Sequence, residues 1–216
     1  SATSAQSLTG MSNGRFQYIN FANSGGNYIV ICNGTDTVRA FNGSVWSEPS
    51  ISGVTTSDLI HVNLHKRRIW FTEDGTLSAW YLAVDAISGA ATEFDLKSFA
   101  SKGGYLMAMA TATLDGGYGI DDLAIFITSR GQVLVYRGTD PSSASTWALV
   151  GVWEIGSPIG RRCFTKWGGD LLLITQDGVV PVSQIMQASR TKQSAFSDKI
   201  HPTLTTAVQQ HGSNFG

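Results

Sequence analysis

A chain of 216 residues, 42% of them hydrophobic, is long enough for one sizeable core, and its length forces no division into several domains. The formal charge is -1 and only 14% of residues are charged, which leaves no basic field for gripping nucleic acid and speaks against sequence-specific nucleic-acid binding. No segment reaches the ~18 consecutive apolar residues of a membrane span, and the Ser/Thr/Ala-rich start lacks the basic and apolar regions of an export signal.

In chain order, residues 1–14 read as a polar extension, and the start at Ser1 leads to the expectation of a processed or excised piece whose parent extends beyond one end or the other. Residues 15–186 read as one domain of four similar units. With 24 glycines against five prolines, the composition favours many tight turns and therefore many short strands. In the first unit, residues 16–20 form an outer strand, GGNYIVICNG (25–34) forms a buried strand ending at the turn Asn33-Gly34, and residues 37–41 and 46–51 follow as strands. The second unit repeats this with residues 59–64, HKRRIWFTEDG (65–75) ending at Asp74-Gly75, then 76–81 and 92–96. The third has residues 105–110, IDDLAIFITSRG (120–131) ending at Arg130-Gly131, then 132–136 and 149–155. The fourth has residues 162–166, GGDLLLITQDG (168–178) ending at Asp177-Gly178, and 179–183.

Asn-Gly and Asp-Gly suit primed hairpin turns because both positions tolerate left-handed geometry; Arg-Gly fits that rule less well. The spacing of Gly34, Gly75, Gly131 and Gly178 is close to the ~40 to 50 residues of a four-stranded propeller blade, with an insertion in the third interval. Alternating strands also suit a β-sandwich, but hairpins repeating in register favour an all-β propeller or propeller-like array. Residues 187–216 form a C-terminal segment, in which SDKIHPTLTTAVQQHG from Ser197 predicts a short helix with Pro202 in its first turn.

Chemistry-bearing patterns are sparse. Cys32 and Cys163 lie in apolar runs, where a thiol behaves as a small hydrophobe, and they point to a reducing compartment. His61 and His65 are four apart, but on a strand their Cα atoms stand ~13 Å apart, too far to share an ion, so a solvated or core-edge role is expected. His201 and His211 have no ligand partner at suitable spacing. Residues 116–124 (GGYGIDDLA) fit one nonapeptide of a calcium-binding β-roll, with Asp115 as an extra oxygen donor; a single copy lacks the stacked neighbour that completes the cage, so a glycine-rich loop is expected. No metal site, cofactor site or catalytic residue is assigned. Lys66-Arg67-Arg68 and Arg161-Arg162 read as solvated strand ends or contacts to an acidic protein partner. Catalysis would need carboxylates such as Asp74, Asp121 and Asp177 to converge, yet their turn and strand-start positions explain them structurally, and no enzyme is expected.

Three resemblances attach to these residues. Residues 84–89 (VDAISG) followed by Phe94-Asp95-Leu96 are similar to the turn repeat of quinoprotein propellers, but Glu93 and Phe94 stand where that repeat has its docking tryptophan. TEDG at 72–75 looks like part of a sialidase Asp-box, with its aromatic displaced to Trp80. HVNLHKRRIWF from His61, AWYLAVDAISGAATEFDL from Ala79, VYRGTDPSSASTWALVGVWEIGSPIGRR from Val135 and GGDLLLITQDGVVPVS from Gly168 together resemble a family of phage and prophage structural proteins. That likeness implies a propeller region of a virion protein, as in the tail nozzles and connector plugs of short-tailed phages. It further implies a symmetric homo-oligomeric parent assembled in the host cytoplasm and contacting other tail or connector proteins. The competing expectation is a carbohydrate-reading propeller using Trp46, Trp70, Trp80, Trp147 and Trp153 as stacking platforms.

Overall fold

The computed structural model describes residues 7–115 and 120–187, together with Thr203, Thr206, Ala207 and Gln210, which have helical backbone. The rest of the tail, and with it most of the helix expected from Ser197, lies outside the described residues.

The chain is all-β and builds a succession of antiparallel sheets. The first sheet contains β1 (Gln17–Asn23), β2 (Gly26–Cys32), β3 (Arg39–Phe41) and β4 (Trp46–Ser47), each hydrogen-bonded to the next. A short β5 (Ile51–Ser52) and a 3-10 turn lead into the second sheet, formed by β6 (Leu59–His65), β7 (Arg68–Glu73) and β8 (Ser78–Tyr81). β9 (Gly89–Ala90) pairs in parallel with β5, and β10 (Thr92–Asp95) then closes the second sheet beside β8. The third sheet runs β11 (Leu106–Asp115), β12 (Ile120–Thr128), β13 (Gln132–Gly138) and β14 (Trp147–Glu154). β15 (Phe164–Trp167), β16 (Asp170–Thr175) and β17 (Gly178–Pro181) make the fourth, three-stranded sheet. Residues expected to continue its last strand, Val182 and Ser183, instead open the helix α1 (Val182–Gln187). Asp170 explains the switch: its carboxylate accepts from the Ser183 N–H (3.1 Å) and hydroxyl (2.5 Å).

Three apolar cores lie between successive sheets. Phe21, Val30 and Ala40 of the first sheet meet Val62, Ile69 and Phe71 of the second. Trp70 and Tyr81 of the second meet Met109, Phe126, Leu134 and Trp147 of the third. Ile125, Ile127 and Val133 of the third meet Leu171, Leu173 and Val180 of the fourth, with Ile185 of α1. A strand turns successive side chains to opposite faces, so β7 gives Ile69 and Phe71 to one core and Trp70 to the next. The same division places Ile125 and Phe126 of β12 in different cores. Strands buried on both faces read as continuous apolar runs, which is the pattern in IWF and AIFI.

All four glycine turns join the second strand of a sheet to its third. Their geometry differs from the primed turns expected. Gly34, Gly75, Gly131 and Gly178 have φ of 73°, 68°, 72° and 129°, while Asn33, Asp74, Arg130 and Asp177 do not enter the left-handed region. Asn33 acts through its side chain, whose Oδ1 accepts from the N–H groups of Thr35 (3.1 Å) and Asp36 (2.8 Å). At Gly131, the N–H donates to the Thr128 carbonyl at 3.1 Å.

A two-residue hairpin turn with both positions left-handed is found at Lys66-Arg67, φ 47° and 61°, between paired His65 and Arg68. Lysine and arginine gain nothing from that geometry, so long-range partners must hold it.

These environments separate two substitutions. A Cβ at Gly75 meets nothing within 4 Å, whereas one at Gly131 overlaps the Ile155 carbonyl oxygen. Gly75→Ala is expected to cost about 1 kcal/mol from left-handed backbone alone, and Gly131→Ala at least ~2 kcal/mol more because backbone must move. Urea denaturation of the two variants checks this order.

Candidate functional site

Each cation of the Lys66-Arg67-Arg68 turn finds a carboxylate within the chain. Lys66 Nζ donates to Asp122 Oδ2 at 2.8 Å, Arg67 pairs with Asp85 through two hydrogen bonds, and Arg68 reaches Asp140 at 3.3 Å. Asp85 is itself left-handed at φ 59°, and its N–H donates to the Arg67 carbonyl at 2.9 Å. The Lys66 hydrogen bond, with another from Thr113, holds the Asp122 carboxyl below its ordinary range against the opposing effect of burial. Hydrogen bonds from Ser142, reinforced by Arg68, lower that of Asp140. Because Asp122 and Asp140 belong to the third sheet and its loop, the turn fastens the second sheet to the third. Arg161 likewise approaches Asp74 at 3.7 Å and the Asn33 carbonyl at 3.5 Å, while Arg162 donates to the Phe16 carbonyl at 2.8 Å. Both basic clusters therefore serve contacts between units, where the sequence reading left solvated ends or a partner protein open.

His61 and His65 are buried on β6 and are not solvated. His61 lies 5.6 Å from the Phe164 ring and His65 lies 5.6 Å from Trp147, edge-on. Burial lowers the pKa of each from 6.5 to about 4, so both are neutral at pH 7. His61 Nδ1 and His65 Nε2 have no hydrogen-bond partner. Among the described residues no group of three or more His, Cys, Asp or Glu side chains can hold a metal ion. Cys32 and Cys163 are buried free thiols with raised pKa, the latter pushed up to about 12, which is the environment of an unreactive cysteine.

The tryptophans considered as sugar platforms divide by burial. Trp70 and Trp147 are core residues, stacked 5.7 Å apart, and Tyr136 also stacks on Trp147 at the same separation. Trp80 and Trp153 are half-buried against cores, and Trp80 Nε1 donates to Glu73 at 2.9 Å. Trp46 lies half-exposed on the first sheet, and Trp167, which the sequence did not single out, is 56% exposed. In the quinoprotein-like stretch, Phe94 packs edge-on against Trp70 and Tyr136.

Asp74 is engaged by Arg161, and Asp177 follows the second strand of the fourth sheet, its N–H donating to Thr175 Oγ1 at 3.2 Å. The side chains of Asp115 and Asp121 and the glycines at 116, 117 and 119 lie outside the described residues, and with them the proposed calcium loop.

No helix among the described residues is long and apolar enough to cross a membrane. Compared with known proteins, the chain matches no family model and no curated sequence.

Proposed function

We propose that this chain is a propeller-like scaffold within a virion structural protein, placed in a phage tail or head-to-tail connector and acting through protein–protein assembly. The observation that carries the reading is the run of four antiparallel sheets with an apolar core between each and the next. Such a fold commits its strand side chains to rigid packing of sheet on sheet, as a component transmitting shape through a particle requires. A propeller arrangement draws support from the first strands: β6 touches both β1 and β11, and Phe164 of β15 reaches back to His61 of β6. The hydrogen bond from Arg162 to the Phe16 carbonyl adds a link from the last unit to the first. The phrases that resemble phage structural proteins fall on this framework. HVNLHKRRIWF is most of β6, its left-handed turn and most of β7, and GGDLLLITQDGVVPVS spans β16, β17 and the start of α1.

The partners are then other tail or connector proteins, and the parent is a symmetric homo-oligomer in the virion. The test is retention in particles. Purified virions are expected to contain the parent protein at a fixed ring stoichiometry, and a deletion strain is expected to yield defective particles. Virions that lack the protein, with normal assembly in the deletion strain, would remove the reading. Specific capture on a glycan array would favour the carbohydrate-binding alternative.

A further inference from the structure

We infer that Asn42 is a site of spontaneous covalent modification: in the turn between β3 and β4 its side-chain amide closes on the Gly43 nitrogen, loses ammonia and reopens with water as isoaspartate. The chain has three Asn-Gly pairs, Asn13-Gly14, Asn33-Gly34 and Asn42-Gly43, and the local sequence makes them equivalent, because glycine leaves the attacking nitrogen equally unhindered in each. Folding separates them. Asn42 is exposed, and its Oδ1 accepts from the N–H groups of Ser44 (3.0 Å) and Val45 (2.9 Å). No described residue accepts a hydrogen bond from Asn42 Nδ2 or from the Gly43 N–H. A Cβ at Gly43 meets nothing within 4 Å, so the turn has room for a ring to form.

The steps balance with solvent as the only co-reactant. Hydroxide takes the Gly43 amide proton, the nitrogen attacks Asn42 Cγ, and negative charge gathers on Oδ1. The two N–H groups already aimed at Oδ1 stabilise that oxyanion more than the neutral amide. The Cγ–Nδ2 bond then breaks, Nδ2 takes up a proton and leaves as ammonia, and a succinimide remains. Water adds to one ring carbonyl and cleaves its bond to the Gly43 nitrogen. Opening at the main-chain carbonyl gives isoaspartate, which adds a methylene to the backbone of the turn, and opening at Cγ gives aspartate. Asn33 has comparable donors on Oδ1, from Thr35 and Asp36, but it is 1% exposed and its Nδ2 is held by Asp36 Oδ2 at 2.6 Å and the Asn13 carbonyl at 3.5 Å. A Cβ at Gly34 would stand 2.7 Å from Ile60, so a ring has no room there. Asn13 Nδ2 is likewise held, by Thr35 Oγ1 at 2.9 Å, and its Oδ1 accepts from the Arg15 N–H alone.

The test uses the purified chain and stands apart from the assembly reading. One sample is kept folded in mildly alkaline buffer at body temperature, and another is kept unfolded in guanidinium chloride at the same pH. Peptide mapping by mass spectrometry follows the exchange of ammonia for water at each pair, and an isoaspartate-specific methyltransferase identifies the product. Unfolded, the three pairs are expected to react at rates within a few-fold of one another. Folded, Asn42 is expected to match or exceed its unfolded rate, while Asn33 and Asn13 slow by more than about tenfold. Asn42→Gln, whose longer side chain would have to close a larger ring, is expected to remove most of the isoaspartate formed by the folded chain. Folding that protects Asn42 as fully as Asn33, or an isoaspartate signal undiminished in Asn42→Gln, would overturn the inference.

Discussion

Trp70→Ala is expected to lower the free energy of unfolding by ~3 to 5 kcal/mol, a large share of the total stability of a domain. Trp70 is 1% exposed and its ring meets Tyr81, Phe94, Phe126 and Trp147, which come from both the second and the third sheets. Truncation removes the transfer free energy of the indole and leaves a cavity that two sheets would have to close together. Trp70 Nε1 has no acceptor, so Trp70→Phe is expected to cost much less, because it discards an unsatisfied donor while keeping most of the packing. Val150→Thr, at a position 44% exposed, is expected to stay within ~0.5 kcal/mol. Equilibrium denaturation in urea ranks the three; a small loss for Trp70→Ala would mean that the second and third sheets are not packed on a shared core.

The second large effect is on acid stability. His61 and His65 have pKa near 4 in the folded chain and 6.5 as their ordinary value, so between these limits the unfolded chain binds more protons. Stability is therefore flat above about pH 7 and falls as pH drops from about 6.5 towards 4. Each histidine contributes about 3 kcal/mol of loss by the lower limit. His61 faces Phe164 and Thr72, and burial is what lowers its pKa; His65 has Lys66, Arg68 and Asp122 nearby, of which Lys66 lowers its pKa and Asp122 raises it. The lowered carboxyls of Asp36, Asp122 and Asp140 act at more acid pH, because groups with depressed pKa lose their contribution only as pH falls through the ordinary carboxylate range and below. Urea midpoints from pH 7.5 to 4.5 are expected to decline in the native chain and to decline far less in a His61→Leu, His65→Leu double variant. An equal decline in both would assign the acid sensitivity elsewhere.

Much of the sheet framework was legible because its causes are local. Ile69-Trp70-Phe71 and Ile125-Phe126-Ile127 are apolar at every position, and glycine marks each reversal between second and third strands. What was not legible depends on residues far apart in the chain. Lys66-Arg67 carries no turn propensity, and the partners that hold it, Asp122 and Asp85, lie 56 and 18 residues away. The start of α1 at Val182 was read as strand because its cap, Asp170, stands across the sheet. For the same reason the basic clusters carry no local sign of their carboxylates, which come from other units of the chain. Tyr18, Ile29 and Phe41 resemble core residues in sequence, and their partial exposure on the first sheet follows from packing that the local pattern does not encode.

Imaging of intact virions by electron cryomicroscopy tests the assembly account most directly. The expected result is density for this succession of four antiparallel sheets, repeated by rotational symmetry about the tail channel and in contact with tail or connector subunits. Well-resolved virions with every density around that channel assigned to other proteins would contradict it.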